Sequence, residues 1–149
     1  AIFRSCQRGE GYALADSRRC CAAMIRAIGT DLVLVSRIEA VLGRQGERFA
    51  RRILTATEFQ RFAAHRQPAR FLAKRFAAKE AILKELGTGL AGGLSWQHMQ
   101  IDNDPAGAPL VQLSGVAAER LELGGGGRML LSLSDEREQA LAFAVWSLD

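Results

Sequence analysis

The sequence predicts an α+β fold in which an antiparallel sheet packs against one long helix. Segments with strand alternation lie near both ends of the patterned chain, segments with helical spacing are mostly grouped between them, and the two kinds do not alternate as in parallel α/β folds. The 149 residues are 48% hydrophobic, which is enough for a sizeable core. No apolar run reaches the roughly 18 to 20 residues that cross a bilayer, which excludes a membrane-spanning protein.

The first strand is predicted over 25–35, where side chains alternate between two faces. This alternation places Asp31 on a largely apolar face together with Gly29 and Val33. An unpaired carboxylate on such a face carries a large desolvation cost. Asp31 is therefore expected to have a cation beside it.

Three helices follow this strand. Capping-box patterns, S-x-x-E at 36–39 and T-x-x-E at 55–58, predict the first two, which we expect to end near residues 42 and 65. The third and longest runs from Ala69 to Leu86, with Pro68 where a first helical turn tolerates it. The rest of the chain predicts strands over 96–103 and 109–113, a short helix from the Ser114 cap to Leu123, and strands over 128–134 and 139–148.

Residues 1–23 show neither helical nor strand periodicity, and we interpret them as a leader or tag-like extension before a single domain over 24–149. All three cysteines, Cys6, Cys20 and Cys21, lie in this extension. The remaining chain can form neither a disulfide nor a thiolate zinc site, which favours a reducing, cytoplasmic location.

Charge is distributed unevenly along the chain. Residues 37–79 contain 11 Lys and Arg against 3 Asp and Glu, whereas residues 80–149 contain 4 against 10. Such a basic block is typical of a surface for an anionic partner: nucleic acid, a phosphorylated small molecule or an acidic protein. Its alternative interpretation is a set of solvated helix faces.

Glu80 and Lys84 lie four residues apart on the long helix and therefore share one face. They could form an ordinary surface ion pair. A strand aspartate that meets a helix glutamate can also supply two hard oxygen ligands to Mg²⁺, which takes its other ligands from water and substrate phosphates. The glycine-rich segment 87–93 follows the helix, so it is either a C-cap with a flexible linker or a loop that a ligand approaches closely.

Several ordered blocks of sequence together resemble one known family. They are I-G-T-D-L-V at 28–33, R-I-E at 37–39, R-F-L-A-K-R-F-A-A-K-E-A at 70–81, Lys84 and G-T-G at 87–89. These blocks closely resemble holo-acyl-carrier-protein synthase, the small trimeric class of 4′-phosphopantetheinyl transferases. One departure is Ser134-Asp135, where members often carry Ser-His.

The resemblance implies a homotrimer that transfers 4′-phosphopantetheine from coenzyme A to a serine of an apo acyl carrier protein and releases 3′,5′-ADP. It implies that this reaction serves fatty acid biosynthesis. It implies that Asp31 and Glu80 bind Mg²⁺ and that Lys84 is a second electrostatic clamp. Glu80, directly or through a metal-bound water, is one candidate acceptor for the serine proton, and bulk water is another. The implied coenzyme A contacts are Arg75, Phe76, Lys84, Gly87, Thr88 and Gly89.

Acyl carrier proteins are acidic, so the resemblance implies that an acyl carrier protein is the partner of the basic block. The expected carrier-binding residues are Arg37, Arg44, Arg48, Arg51 and Arg52. Two other functions stay open from the residues: the same chemistry on a carrier domain of a larger synthase, and a non-enzymatic module that binds nucleic acid. The second is less favoured, because the block lacks the interleaved Tyr and Trp of single-strand binders.

Overall fold

The computed structural model describes residues 25–87 and 89–148. The five strands among them are β1 (Ile25–Leu34), β2 (Met99–Asn103), β3 (Pro109–Leu113), β4 (Arg128–Asp135) and β5 (Gln139–Ser147). The five α-helices are α1 (Val35–Gln45), α2 (Glu47–Ile53), α3 (Ala56–Ala63), α4 (Pro68–Leu86) and α5 (Gly115–Leu123). The predicted extension over 1–23 lies outside the described residues.

The predicted antiparallel sheet and long helix are confirmed. Strands pair antiparallel in the order β1-β5-β4, and β2 and β3 form a separate antiparallel hairpin. Helix α4 crosses one face of the three-stranded sheet so closely that a Cβ on Gly29 would lie 2.0 Å from the Ala81 carbonyl oxygen. Glycine at position 29 is therefore required for the helix to approach β1 and bring its functional side chains to the strand.

The opposite face of this sheet is exposed and apolar. Its register pairs Leu32 of β1 with Leu141 of β5, and Ile28 of β1, Phe143 of β5 and Leu130 of β4 lie on the same face. Each of these side chains is between 41% and 61% exposed. A sheet face with several exposed apolar side chains is typical of a surface that another protein covers.

The start of α1 contradicts the predicted capping box at 36–39. The N-cap residue is Leu34, and no side chain caps the helix. The Val35 amide donates instead to the Glu138 carbonyl at 2.8 Å, so a contact across the fold replaces the local cap. Helix α2 was not predicted, because Gly46, with φ of 58°, ends α1 and a second helix begins directly after it.

Other predicted boundaries were closer. The capping box of Thr55 and Glu58 at the start of α3 is present with both of its hydrogen bonds. Helix α4 begins at Pro68 and ends at Leu86, and the left-handed Gly87 that follows forms the expected C-cap. The strand predicted to begin at Trp96 begins at Met99, because residues 96–98 form a 3₁₀ turn. No helix within the described ranges is long and apolar enough to cross a membrane.

Candidate active site

Asp31 lies in the middle of β1 on the face that packs against α4, as the alternation predicted. Its carboxylate is 19% exposed, and its Oδ1 accepts a hydrogen bond from Lys84 Nζ at 2.9 Å. The same ammonium donates to the Thr30 carbonyl oxygen. The cation expected beside Asp31 is therefore Lys84, which comes from the last turn of α4.

Glu80 lies one turn before Lys84 on the same helix. Its Oε1 accepts a hydrogen bond from the Trp96 indole Nε1 at 2.6 Å. In the part of the chain that the structure describes, Lys84 forms its ion pair with Asp31, so a simple surface pair of Glu80 and Lys84 is not the arrangement observed. Helix α4 thus carries both Lys84, which contacts Asp31 of β1, and Glu80, which contacts Trp96, one helical turn apart.

The chemistry of these oxygens fits a magnesium ion. Each carboxylate uses one oxygen in a hydrogen bond, and no described residue donates to Asp31 Oδ2 or Glu80 Oε2. Within the described ranges, no three His, Cys, Asp or Glu side chains cluster into a self-sufficient metal site. Nevertheless, two carboxylates are commonly the only protein ligands of Mg²⁺ when substrate phosphates supply further ligands.

Aromatic side chains line the approach to Glu80. Phe76, one turn before Glu80 on α4, packs between Phe49 and Trp96 at ring-centroid distances of 6.0 and 5.9 Å. The Arg52 guanidinium lies 5.9 Å from the centre of the Trp96 ring. The C-terminal turn of α2, with its predicted carrier-binding arginine, therefore reaches the edge of the carboxylate site.

Arg75 lies on a different side of α4 from Phe76, although the two are adjacent in sequence. Its Nη2 donates to Asn103 Oδ1 at 3.2 Å, and its side chain lines a cavity of about 390 Å³ together with Lys74 and Asp135. Asp135 forms ion pairs with Lys74 and Arg70 there. The predicted coenzyme A contacts are thus divided between two surfaces of one chain.

A buried ionic cluster of Glu58, Arg75 and Lys79 was missed by the sequence analysis, which treated Glu58 only as a capping residue. Lys79 Nζ donates to Glu58 Oε2 at 2.6 Å and to the Ile53 carbonyl at 2.7 Å. Burial lowers the pKa of Lys79, and the Glu58 carboxylate opposes that shift. Burial also lowers the pKa of Arg75, again opposed by Glu58. No local pattern marks this cluster, because Glu58 comes from α3 and its two cations come from α4.

Glu85 is a second buried carboxylate that the sequence did not reveal. It follows Lys84 directly, is 5% exposed, and has no hydrogen-bond partner for either oxygen among the described residues. Burial raises the pKa of Glu85 to about 8, although the nearby backbone amides of Trp146 and Gly29 act in the opposite direction. The carboxyl is therefore mostly neutral at pH 7.

The remaining predicted contacts lie at the surface. Gly87 and Gly89 are exposed and adopt φ of 81° and 56°, and nothing lies within 4 Å of a Cβ built on either. Gly87 is the C-cap of α4, which agrees with the first of the two interpretations of the glycine-rich segment 87–93. Thr88 lies outside the described residues.

The five predicted carrier-binding arginines are all exposed. Arg37 and Arg44 belong to α1, whereas the other three belong to α2. Arg51 is partly engaged within the chain, since it pairs with Glu47 at 3.0 Å and its guanidinium lies 3.9 Å from the centre of the Phe59 ring.

Comparison with known proteins identifies the class of enzyme. Residues 27–144 match the 4′-phosphopantetheinyl transferase superfamily. This match covers most of the chain, and the carboxylate and lysine site described above lies within it. The chain therefore belongs to that superfamily and is an enzyme of that class.

Within the superfamily, the chain is similar to proteins named holo-[acyl-carrier-protein] synthase. The relative from Nitrosococcus oceani is 55% identical over 122 residues, covering 82% of this chain and 79% of the relative. The crystal structure of the Neisseria meningitidis synthase is 42% identical, with a TM-score of 0.78, over 83% of this chain and 98% of that one. The Bacillus anthracis synthase, solved in complex with CoA (3′,5′-ADP), is 32% identical, with a TM-score of 0.71, over 85% of this chain and 100% of that one.

Proposed function

We propose that this enzyme transfers 4′-phosphopantetheine from coenzyme A to a serine of an apo acyl carrier protein, in a magnesium-dependent reaction that serves fatty acid biosynthesis. The observation that carries the proposal is the contact of Lys84 with Asp31, one helical turn from the Glu80 carboxylate on α4. The similarity to holo-[acyl-carrier-protein] synthases supports the substrates.

In this reaction the serine oxygen forms a bond to the pantetheine-side phosphorus, the pyrophosphate P–O bond breaks and 3′,5′-ADP leaves. The serine proton passes to Glu80 or to water. When bound, Mg²⁺ held by Asp31 and Glu80 would offset the charge of the pyrophosphate. Lys84 places a fixed ammonium beside Asp31, where it stabilises negative charge that develops on the leaving phosphate. Trp96, which packs against Phe76, holds one oxygen of Glu80 through its indole N–H.

The division of the coenzyme A contacts supports a site shared between subunits. Arg75 faces the cavity with Lys74 and Asp135, whereas Phe76 packs beside the carboxylate site. In a shared site, one copy would supply the Arg75 surface and a neighbouring copy the Phe76 surface to the same nucleotide. We propose that the exposed apolar face containing Ile28, Leu32 and Phe143 packs against other copies in a homotrimer. A trimer mass in light scattering is expected, and a fully active monomer contradicts the shared site.

The acidic carrier is proposed to dock on α1 and α2. Their exposed arginines form a basic surface, and Arg52 connects this surface to Trp96 at the edge of the carboxylate site. A carrier attracted there would present its serine close to Glu80. The proposed cytoplasmic location follows from the cysteine distribution and from the reducing conditions that it favours.

Mass spectrometry of the carrier tests the proposal directly. Incubation with coenzyme A, Mg²⁺ and an apo acyl carrier protein should add the mass of one phosphopantetheine group and release 3′,5′-ADP. Asp31→Ala and Glu80→Ala should abolish the addition, as should excess chelator, because each removes the proposed metal or its ligands.

Glu119→Ala is the matched control, since Glu119 is an exposed carboxylate on α5, outside the proposed site. It should retain full activity. Modification of only a carrier domain from a larger synthase would identify that domain as the substrate. No addition to any carrier, together with binding of nucleic acid, would instead support the non-enzymatic alternative.

A further inference from the structure

Trp96 is held in a fixed position by the 3₁₀ turn in which it lies. The Ser95 amide donates to His98 Nδ1, and Ser95 Oγ accepts from the Gln97 amide, both at 3.2 Å. The Gln97 side-chain amide donates to the Arg51 carbonyl at 2.6 Å. These bonds attach the turn to the end of α2, so the position of the Trp96 backbone does not depend on the contacts of its ring.

The indole of Trp96 has one N–H, and it donates this group to Glu80 Oε1 at 2.6 Å. The bond is partly buried, and the ring is packed against Phe76 from the preceding turn of α4. A hydrogen bond from a neutral donor to a carboxylate in such a site is short and strong, and it restricts the carboxylate to one rotamer. The indole therefore selects which Glu80 oxygen remains available for a ligand.

We propose that Trp96 is a positioning residue that orients the Glu80 carboxylate, occupying Oε1 and leaving Oε2 for the divalent cation. This inference rests on the proposed function, in which Glu80 and Asp31 share that cation. Groups that hold metal ligands in place in this way commonly change metal affinity by about 10- to 100-fold when they are removed. Trp96 contributes orientation and does not itself contact the substrate.

The molecule provides a matched control in its other tryptophan. Trp146 Nε1 donates at 2.8 Å to the Gly126 carbonyl, not to a carboxylate. Trp96→Phe and Trp146→Phe each remove one partly buried indole N–H while retaining an aromatic ring. A general loss of packing affects both variants, whereas loss of Glu80 orientation affects only the first.

The test measures binding of Mn²⁺ to coenzyme A-saturated enzyme, using the electron paramagnetic resonance signal of the free ion. Trp96→Phe should weaken Mn²⁺ binding by about 10-fold or more. Trp146→Phe should leave binding unchanged. Equal affinity in wild type and Trp96→Phe, or equal losses in both variants, would overturn the positioning role. If wild type binds no Mn²⁺, the proposed metal site fails as well, which distinguishes the two failures.

A second measurement keeps Trp96 intact and applies even if Trp96→Phe does not fold. The chain has two tryptophans, so Trp146→Phe leaves Trp96 as the only indole emitter. Its emission should change as Mn²⁺ is added, and the change should disappear when Glu80→Gln is combined with Trp146→Phe. An emission unaffected by Mn²⁺, or a response that persists without the carboxylate, contradicts the proposal.

Discussion

Lys79 and Lys84 lie five residues apart on α4 and form almost the same set of contacts. Each ammonium donates to one carboxylate and to one backbone carbonyl: Lys79 to Glu58 and Ile53, Lys84 to Asp31 and Thr30. Their surroundings differ, since the Lys79 side chain is fully buried and that of Lys84 is 53% exposed. The two lysines have similar partners and differ in solvent access. Solvent access therefore distinguishes a structural ion pair from one that can act on a substrate.

The carboxylates follow the same division. Glu58 has each oxygen engaged, because Oε1 accepts from the Ile101 amide and Oε2 from Lys79 and the Thr55 amide. Asp31 and Glu80 each retain an oxygen that no described donor occupies. A fully satisfied buried carboxylate stabilises a fold, whereas an incompletely satisfied one at the surface can accept a cation.

The largest effect is expected from Lys79→Met. This change retains the buried aliphatic chain but leaves the Glu58 carboxylate without its closest cation. Breaking a buried pair in this way costs about 3–5 kcal/mol of unfolding free energy. Urea unfolding measures the loss, and a cost below about 1 kcal/mol would mean that the buried pair is no more important than an exposed one.

Lys84→Met should have the opposite effects, with little loss of stability and a large loss of activity. The exposed pair with Asp31 contributes at most about 1 kcal/mol, so unfolding should change little. Transfer activity should nevertheless fall about 100-fold through kcat, because the variant lacks the charge that stabilises the transition state. Kinetics and unfolding are measured on the same preparation. A variant that is destabilised but fully active would reverse the assigned roles of the two lysines.

Glu85→Gln extends the comparison to a buried carboxyl with no cation. The folded-state pKa of about 8 exceeds that of an exposed glutamate, so ionisation of the unfolded chain should reduce stability as the pH rises from about 4.5 to 8. The amide has the shape of the neutral carboxyl but cannot ionise. At pH 8 the variant should be more stable than wild type by roughly 1–4 kcal/mol.

Thermal unfolding at several pH values checks the Glu85 prediction. Below pH 4.5 the wild type and Glu85→Gln should have similar stability, because the carboxyl is protonated in both folded and unfolded chains. Glu122→Gln, at an exposed carboxylate of α5, is the control and should follow wild type. Parallel pH profiles for wild type and Glu85→Gln would show that Glu85 is solvated in solution.

The smallest effect is expected from Arg37→Glu, at an exposed cation of α1. Exposed charges at the edge of an interface chiefly increase the rate at which the two proteins meet. The KM for the carrier should therefore rise several-fold and depend less on salt concentration. Coenzyme A binding and stability should be unchanged. Steady-state kinetics at two ionic strengths measure this. Arg66→Glu, an equal charge change between α3 and α4, is the control. Weaker coenzyme A binding with an unchanged carrier KM would show that α1 faces the nucleotide.

The sequence alone determined the features whose physical cause is local. Alternation in β1 placed Asp31 on the helix-facing side, the capping box started α3, and Pro68 and Gly87 marked the ends of α4. Each signal depends on residues a few positions apart, so neighbouring side chains and backbone propensities suffice to produce it. The family resemblance suggested the roles that we propose for Asp31, Glu80 and Lys84, which local patterns did not specify.

Only the tertiary structure decided which charges meet. Lys84 could pair with Glu80 on its own helix, yet it pairs with Asp31, 53 residues away. Trp96 reaches Glu80, and Lys79 reaches Glu58, because packing of the 3₁₀ turn and α3 against α4 brings them together. Such contacts depend on the positions of whole elements, which the shared core fixes and which no short window of sequence contains.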